Sequence, residues 1–235
     1  MAVAVPRTSV GGRGTSAFDA PELSEALTAG NVSSRMKRLS LILTASLMSL
    51  VAVACGSSGE NGLVGYAITP VPQVGQFVVD DAATSRTGVA LKADPGELLI
   101  VFLGFTNCSD ACPRAMANVR TALGKLGSDA ATVGVAMLTV DPERDTPDVL
   151  TSYVRQFVPE AHALRTDDPT KLKQIALAFG AGFDVNHDHE TSQVGHTDYT
   201  YLVDDTGAVI ITWTADMTPK NIASDLHVIL AARSK

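Results

Sequence analysis

Positive charge is what this sequence has least to spare: 18 Lys and Arg stand against 25 Asp and Glu, a formal −7. That balance excludes the basic footprint of a nucleic-acid-binding surface. It also gives an acidic domain no electrostatic hold on anionic lipid. Aromatic residues are few, at 5%, and no internal repeat is present. The apolar run Leu39–Ala54 is broken by Ser and Thr and falls short of a comfortable membrane span. Cysteine is scarce as well. Of the three, Cys55 stands alone while Cys108 and Cys112 form a close pair, so the odd one and the pair need separate explanations. What the chain does have is apolar content of 46% over 235 residues, ample for one domain with appendages.

The appendages come first. Residues 1–35 are rich in Gly, Ser and Ala and read as a disordered or untranslated extension. Met36 opens a better-formed start: Met36-Lys37-Arg38, the run Leu39–Ala54, then Cys55-Gly56-Ser57-Ser58. A basic region, a hydrophobic region and a small-residue cleavage site define a signal peptide over 36–54. Ala52-Val53-Ala54-Cys55 is similar to a bacterial lipobox, with Ala52 where Leu is usual, which makes Cys55 the lipidation site; an uncleaved anchor is the other reading. Either one puts the domain outside the cytoplasm, on the extracytoplasmic face of a bacterial membrane. Residues 55–76, rich in Gly, Ser, Pro and Val, read as a flexible tether.

From residue 77 to 235 the chain reads as one domain organised around Leu98–Pro113. The run Leu98–Leu103 is a strand buried on both faces, and a helix follows Pro113. Phe77–Val79 and Gly88–Leu91 suggest an entrance hairpin. Thr132–Val140 is a second buried strand. Thr146 then caps a helix that has Pro147 at its first position and runs to Phe157. Ala163–Arg165 is a short strand, Pro169–Phe179 a helix stopped by Gly180, and Asp184–Gly195 a polar loop. Tyr199–Val203 and Val209–Trp213 are strands joined by Asp204-Asp205-Thr206-Gly207, and Pro219–Ala232 closes the chain. Two parallel crossovers followed by a terminal hairpin give an α/β, thioredoxin-like three-layer sandwich, a central mixed sheet flanked by helices.

Chemistry concentrates on the cysteine pair. Cys108 and Cys112 are spaced C-x3-C and sit where a strand hands over to a helix N-terminus. Partial positive charge and unbonded N–H groups there favour a thiolate. Two thiolates leave a soft metal under-coordinated. Copper accepts two sulfurs plus an imidazole in either oxidation state, and His196, just before the Tyr199–Val203 strand, is the best third ligand.

Three motifs in order carry a resemblance. Gly104-Phe105-Thr106-Asn107-Cys108-Ser109-Asp110-Ala111-Cys112-Pro113, Thr139-Val140-Asp141-Pro142-Glu143-Arg144-Asp145-Thr146-Pro147 and Val194-Gly195-His196-Thr197 with Tyr201-Leu202-Val203-Asp204 resemble the Sco/SenC family of copper-delivery proteins. The departures are Asn107 for a frequent His, Ser109 for the usual Pro and Gly195 for a frequent Asp. The resemblance implies that Cys108, Cys112 and His196 bind one copper. It also implies a partner, the copper-centre subunit of a terminal cytochrome oxidase, with an upstream copper donor. The service to that centre is either copper delivery or reduction of its cysteines, with Cys108 and Cys112 as the redox pair.

Other readings stay open beside these. The pair is a structural disulfide, although so short a loop staples little chain, or a peroxidase site, although Asn107 precedes Cys108 and no Thr-x2-Cys pocket with a partner Arg is evident. His187 and His189 with Asp188 or Glu190 form an accessory metal site or a solvated loop. Asp141, Glu143, Arg144 and Asp145 make a capped turn with an internal ion pair, or a docking surface. Asp110 tunes the site's charge or is a surface carboxylate. Trp213 and Phe183 are packing residues, and Met116 and Met137 are core rather than thioether ligands.

Overall fold

The computed structural model describes residues 62–185 and 194–234. The signal peptide and Cys55 lie outside the described residues, as do His187, Asp188, His189 and Glu190.

The described chain runs β1 (Val78–Asp81), β2 (Arg86–Ala90), β3 (Leu98–Gly104), α1 (Ala111–Leu126), a 3-10 turn, β4 (Val133–Thr139), α2 (Pro147–Arg155), β5 (His162–Arg165), α3 (Pro169–Ala178), β6 (Phe183–Val185), β7 (Val194–His196), β8 (Thr200–Asp204), β9 (Val209–Trp213) and α4 (Pro219–Arg233). Seven strands form one mixed sheet in the order β2-β1-β5-β4-β3-β8-β9. β3 pairs in parallel with β4, and β4 with β5. The other neighbours are antiparallel.

Every residue of β3 is buried, which is why its sequence is an unbroken apolar run rather than an alternation. The chain steps from β3 to β4 to β5 in one direction across the sheet. Right-handed crossovers of that kind set α1 and α2 on the same face, and α1 packs against α4. Met116, Met137 and Trp213 are buried core residues, and the Trp213 indole N–H bonds Asp225.

Three helices open on an oxygen cap followed by proline. Thr146 accepts the Val149 N–H, as expected. Asp168 accepts those of Thr170 and Lys171, and Thr218 forms a capping box with Asn221. α1 is different: Asp110 stands at its cap position with no side-chain cap bond.

Two expectations are corrected. Residues 62–76, read as part of a free tether, lie against the sheet. Tyr66 bridges Thr212 and Gln73 bridges Ala208, Val74 is fully buried, and the N–H groups of Val64 and Gly65 both bond Asp225 at 2.8 Å. Backbone bonding drives this, since the outer edge of β9 offers donors and acceptors that the strap satisfies. The close approach needs glycine: a Cβ on Gly207, at φ 88°, would fall 2.4 Å from the Cα of Gly75. Second, the ends of the stretch read as a polar loop are strands. β6 and β7 pair antiparallel, with Phe183 opposite His196.

Candidate metal centre

Sheet polarity decides where the three motifs meet. β3 and β4 are parallel and in register to Gly104 and Thr139, so the cysteine turn and the turn after β4 leave the sheet at one end. β8 runs antiparallel to β3 with Thr200 opposite Phe102, so residues 196–199 enter the sheet at that same end. A long loop and two turns far apart in sequence are brought together by strand direction alone.

The cysteine turn is closed by the Cys108 N–H on the carbonyl of Phe105, at 3.3 Å. Cys112 is the second residue of α1, and its N–H donates to Cys108 Sγ at 3.3 Å. A sulfur thus takes the place that an oxygen cap holds in the other three helices. Neither cysteine is in a disulfide, and their side chains hydrogen-bond each other. Gly104 makes room for this: a Cβ there would sit 3.1 Å from Cys112 Sγ and 2.5 Å from the Phe102 ring.

The two thiols are not equivalent. Cys108 is half-buried and Cys112 fully buried. Burial pushes the Cys112 thiol well above the ordinary thiol range. Its hydrogen bond to Cys108 and the nearby Cys108 and Asp198 groups push the same way, against a backbone hydrogen bond from Phe105. The expectation that the helix end favours a thiolate at both positions is therefore corrected for Cys112, where desolvation outweighs the helix terminus. The first-turn N–H is spent on Cys108 instead.

The turn after β4 holds the site from below. Arg144 pairs with the buried carboxylate of Asp141, the ion pair expected there. Arg165 donates to the Pro142 carbonyl at 3.1 Å. Asp145 has a different task from the one read in sequence. It is fully buried and faces the cysteine turn. It accepts the Thr106 N–H at 3.1 and 3.2 Å, the Thr106 hydroxyl at 2.5 Å and the Thr139 hydroxyl at 2.6 Å. One carboxylate ties the residue two before Cys108 to the end of β4. Asp110, by contrast, is a surface carboxylate paired with Arg114 at 2.9 Å.

His196 is described through its backbone, at the end of β7. The next residue, Thr197, donates its N–H to Gly182 at 3.0 Å, which anchors β7 to the start of β6. Asp198 lies near enough to Cys112 to act on its thiol, so the chain two residues beyond His196 reaches the pair. Among the described residues no three His, Cys, Asp or Glu side chains gather as a metal site.

Asp198 and Tyr153 are at the site without having belonged to a motif. Tyr153 had a signal: Leu150, Tyr153, Val154 and Phe157 recur at helical spacing, so its hydroxyl rides on the inward face of α2. Burial, then the Cys112 and Cys108 groups and Asp145, push that phenol far above its usual range.

Comparison with known proteins covers the stretch that holds the three motifs. The family model described as SCO1/SenC matches residues 74–231. An SCO2-like protein of Rickettsia typhi is 30% identical over 137 residues, 56% of this chain and 66% of its own length. The chain spans 63% of the related Rickettsia prowazekii protein. Among solved structures, Bradyrhizobium japonicum ScoI with copper bound is 29% identical with a TM-score of 0.54, covering 64% of this chain and 95% of that one. Apo Sco1 of Thermus thermophilus is 25% identical with a TM-score of 0.60, covering 71% and 96%.

Proposed function

The chain belongs to the SCO1/SenC family, and from that premise we propose that it is a copper metallochaperone, tethered to the membrane at Cys55 on the extracytoplasmic face. Copper is its cargo. Cys108, Cys112 and His196 take the ion, and the recipient is the binuclear copper centre of a terminal cytochrome oxidase. The single observation that carries this reading is the pair of unbridged cysteines in mutual contact at the strand-to-helix corner, with the chain at 196–198 brought to the same end of the sheet. The donor set suits the ion: two soft sulfurs fit Cu(I), and an added imidazole holds Cu(II). The half-exposed edge at Cys108 offers a route for ligand exchange to a partner. The copper-bound relative at 29% identity supports the cargo.

The test is anaerobic copper titration of the purified protein, read by metal analysis and by thiolate-to-Cu(II) absorption. One copper per chain is expected. Cys108→Ser and Cys112→Ser should abolish binding, and His196→Ala should weaken chiefly Cu(II). Wild-type affinity in all three variants would overturn the assignment.

The inequality of the two thiols favours a second reading, reduction of the oxidase cysteines. Cys108, half-buried and bonded by a helix N–H, attacks a target disulfide and releases one target thiol. Cys112, buried behind it, then attacks Cys108 in the mixed disulfide and releases the second. The target gains two electrons, and the pair becomes a disulfide. Metal-free protein should then reduce an oxidised target peptide stoichiometrically, with His196→Ala fully competent. No release of peptide thiol at any pH would dismiss this reading.

A further inference from the structure

The residues proposed to hold copper stand on two separate pieces of sheet. The cysteine turn leaves β3 in the seven-stranded sheet, whereas His196 ends β7, which pairs with β6 in a two-stranded ribbon of its own. Such a ribbon is marginal by itself. Where His196 stands relative to the sulfurs therefore depends on the junction that leads from the ribbon into β8, Thr197-Asp198-Tyr199. Its backbone is tied at two points: the Thr197 N–H donates to the Gly182 carbonyl and the Tyr199 N–H to the Thr197 carbonyl, each at 3.0 Å. Its one large side chain is Tyr199, and that ring is held from two sides. Tyr201, fully buried in β8, meets it edge-on with centroids 6.4 Å apart. Tyr66, on the strap, meets it edge-on at 6.1 Å with the ring planes 85° apart, and the two side chains share a hydrogen bond. Edge-to-face pairs at this spacing are favourable beyond the area they bury. Tyr66 is itself fixed, because it exchanges both backbone hydrogen bonds with Thr212, at 3.1 and 2.8 Å. β9 thus holds it separately from the Asp225 tie at Val64 and Gly65. Yet Tyr66 is 40% exposed, so the core does not require its ring.

We propose that Tyr66 is a positioning residue for His196: by clasping Tyr199 against Tyr201, the strap fixes the junction through which the β6–β7 ribbon presents His196 to the cysteine turn. The inference rests on His196 being the third ligand proposed above. Without the Tyr66 ring, Tyr199 is held from one side only, and the ribbon samples a wider range of positions. The cysteine turn is untouched, because it is built on β3, α1 and Asp145. Cu(II), which draws on the imidazole, feels the loss; Cu(I), which two sulfurs satisfy, does not. Groups that orient a ligand histidine commonly matter tenfold or more to metal affinity.

The experiment compares wild type with Tyr66→Ala, which removes the ring, and Tyr66→Phe, which keeps the ring and loses the hydroxyl. Val74→Ala is the control, a buried strap residue whose N–H bonds Gly207 at the other end of β9. Cu(I) and Cu(II) affinities are measured by competition with chromophoric chelators, the Cu(II) adduct by absorption, and the metal-free proteins by amide hydrogen exchange and urea unfolding. Tyr66→Ala should lose Cu(II) affinity roughly tenfold, shift the Cu(II) spectrum toward that of His196→Ala and keep wild-type Cu(I) affinity. Without metal, its Thr197 and Tyr199 amides should exchange faster. Tyr66→Phe should fall between wild type and Tyr66→Ala. Val74→Ala should lose stability and keep the wild-type Cu(II) spectrum. In a His196→Ala background, adding Tyr66→Ala should cost no further Cu(II) affinity. An additive loss there, an equal loss of Cu(I) and Cu(II), or a Val74→Ala protein that behaves like Tyr66→Ala would mark a merely structural tyrosine and overturn the inference. So would Tyr66→Ala with wild-type Cu(II) affinity or wild-type amide exchange, while the copper reading stands as long as His196→Ala weakens Cu(II). A His196→Ala protein that binds Cu(II) like wild type overturns the ligand assignment and this inference with it.

Discussion

Asp145 and Asp225 are the same residue type in the same physical state, and they do different jobs. Each is fully buried and each accepts neutral donors. Asp225 takes the N–H groups of Val64 and Gly65 and the indole N–H of Trp213, all at 2.8 Å. Asp145 takes the N–H and hydroxyl of Thr106 and the hydroxyl of Thr139. The first fastens the incoming strap to α4 and β9. The second fastens the cysteine turn to the turn after β4. A buried carboxylate bonded to fixed donors is a pin, and what it contributes to function depends only on which loop it pins.

The comparison sharpens when each pin is pulled. Asp225→Ala should cost the most stability, about 3–5 kcal/mol, because two backbone N–H groups and an indole N–H cannot turn away and are left buried without an acceptor. Copper affinity of the protein that remains folded should be unchanged. Asp145→Ala should cost less, about 2–4 kcal/mol, because two of its donors are hydroxyls that rotate to other acceptors. It should also weaken copper binding, since Thr106 and with it Cys108 lose their tie. Urea unfolding and chelator competition on both variants separate the effects. An Asp225→Ala protein with weakened copper binding, or an Asp145→Ala protein without it, would erase the distinction. Thr106→Val is the finer probe. It removes one hydroxyl donor and keeps the N–H, so it should cost about 1 kcal/mol and shift copper affinity in the same direction by less.

These two pins also mark how far the sequence could be read. The strand–turn–helix at Leu98–Pro113, the Thr146–Pro147 helix start and the terminal hairpin were legible because each rests on local signals: an unbroken apolar run, a cap followed by proline, an Asp-Asp-Thr-Gly turn. Asp145 was legible as a turn residue but not as a pin, because its partners Thr106 and Thr139 reach it only after β3 and β4 align in parallel. The strap at 62–76 looked like a tether because its Gly, Pro and Val content carries no periodicity; its order comes from one edge strand and from Asp225, 160 residues beyond Gly65. The thiol asymmetry was hidden for a related reason. Helix position is written in the sequence, but the desolvation that outweighs it at Cys112 belongs to the packed core.

Asp81 is a third pin, at the far side of the sheet, and it offers the smallest and most specific effect. Its carboxylate is buried. It accepts from the Ala83 N–H at 3.1 Å, the Thr84 hydroxyl at 2.6 Å and the Ala163 N–H at 3.0 Å, and it meets His162 Nδ1 at 2.8 Å. Burial alone would raise its pKa, but the bonds from Thr84, His162 and Ala163 outweigh burial and hold it below the ordinary value of 3.8. A carboxylate with a folded pKa below its unfolded one stabilises the protein above the unfolded value, and that stability is lost as pH falls through the folded one. Wild type should therefore lose part of its advantage over Asp81→Asn below about pH 4. Urea midpoints of the two proteins at pH 7 and pH 3 should lie closer together at the lower pH, with copper affinity at neutral pH the same in both. An equal gap at the two pH values would mean that Asp81 holds β1 to β5 by shape rather than by its charge.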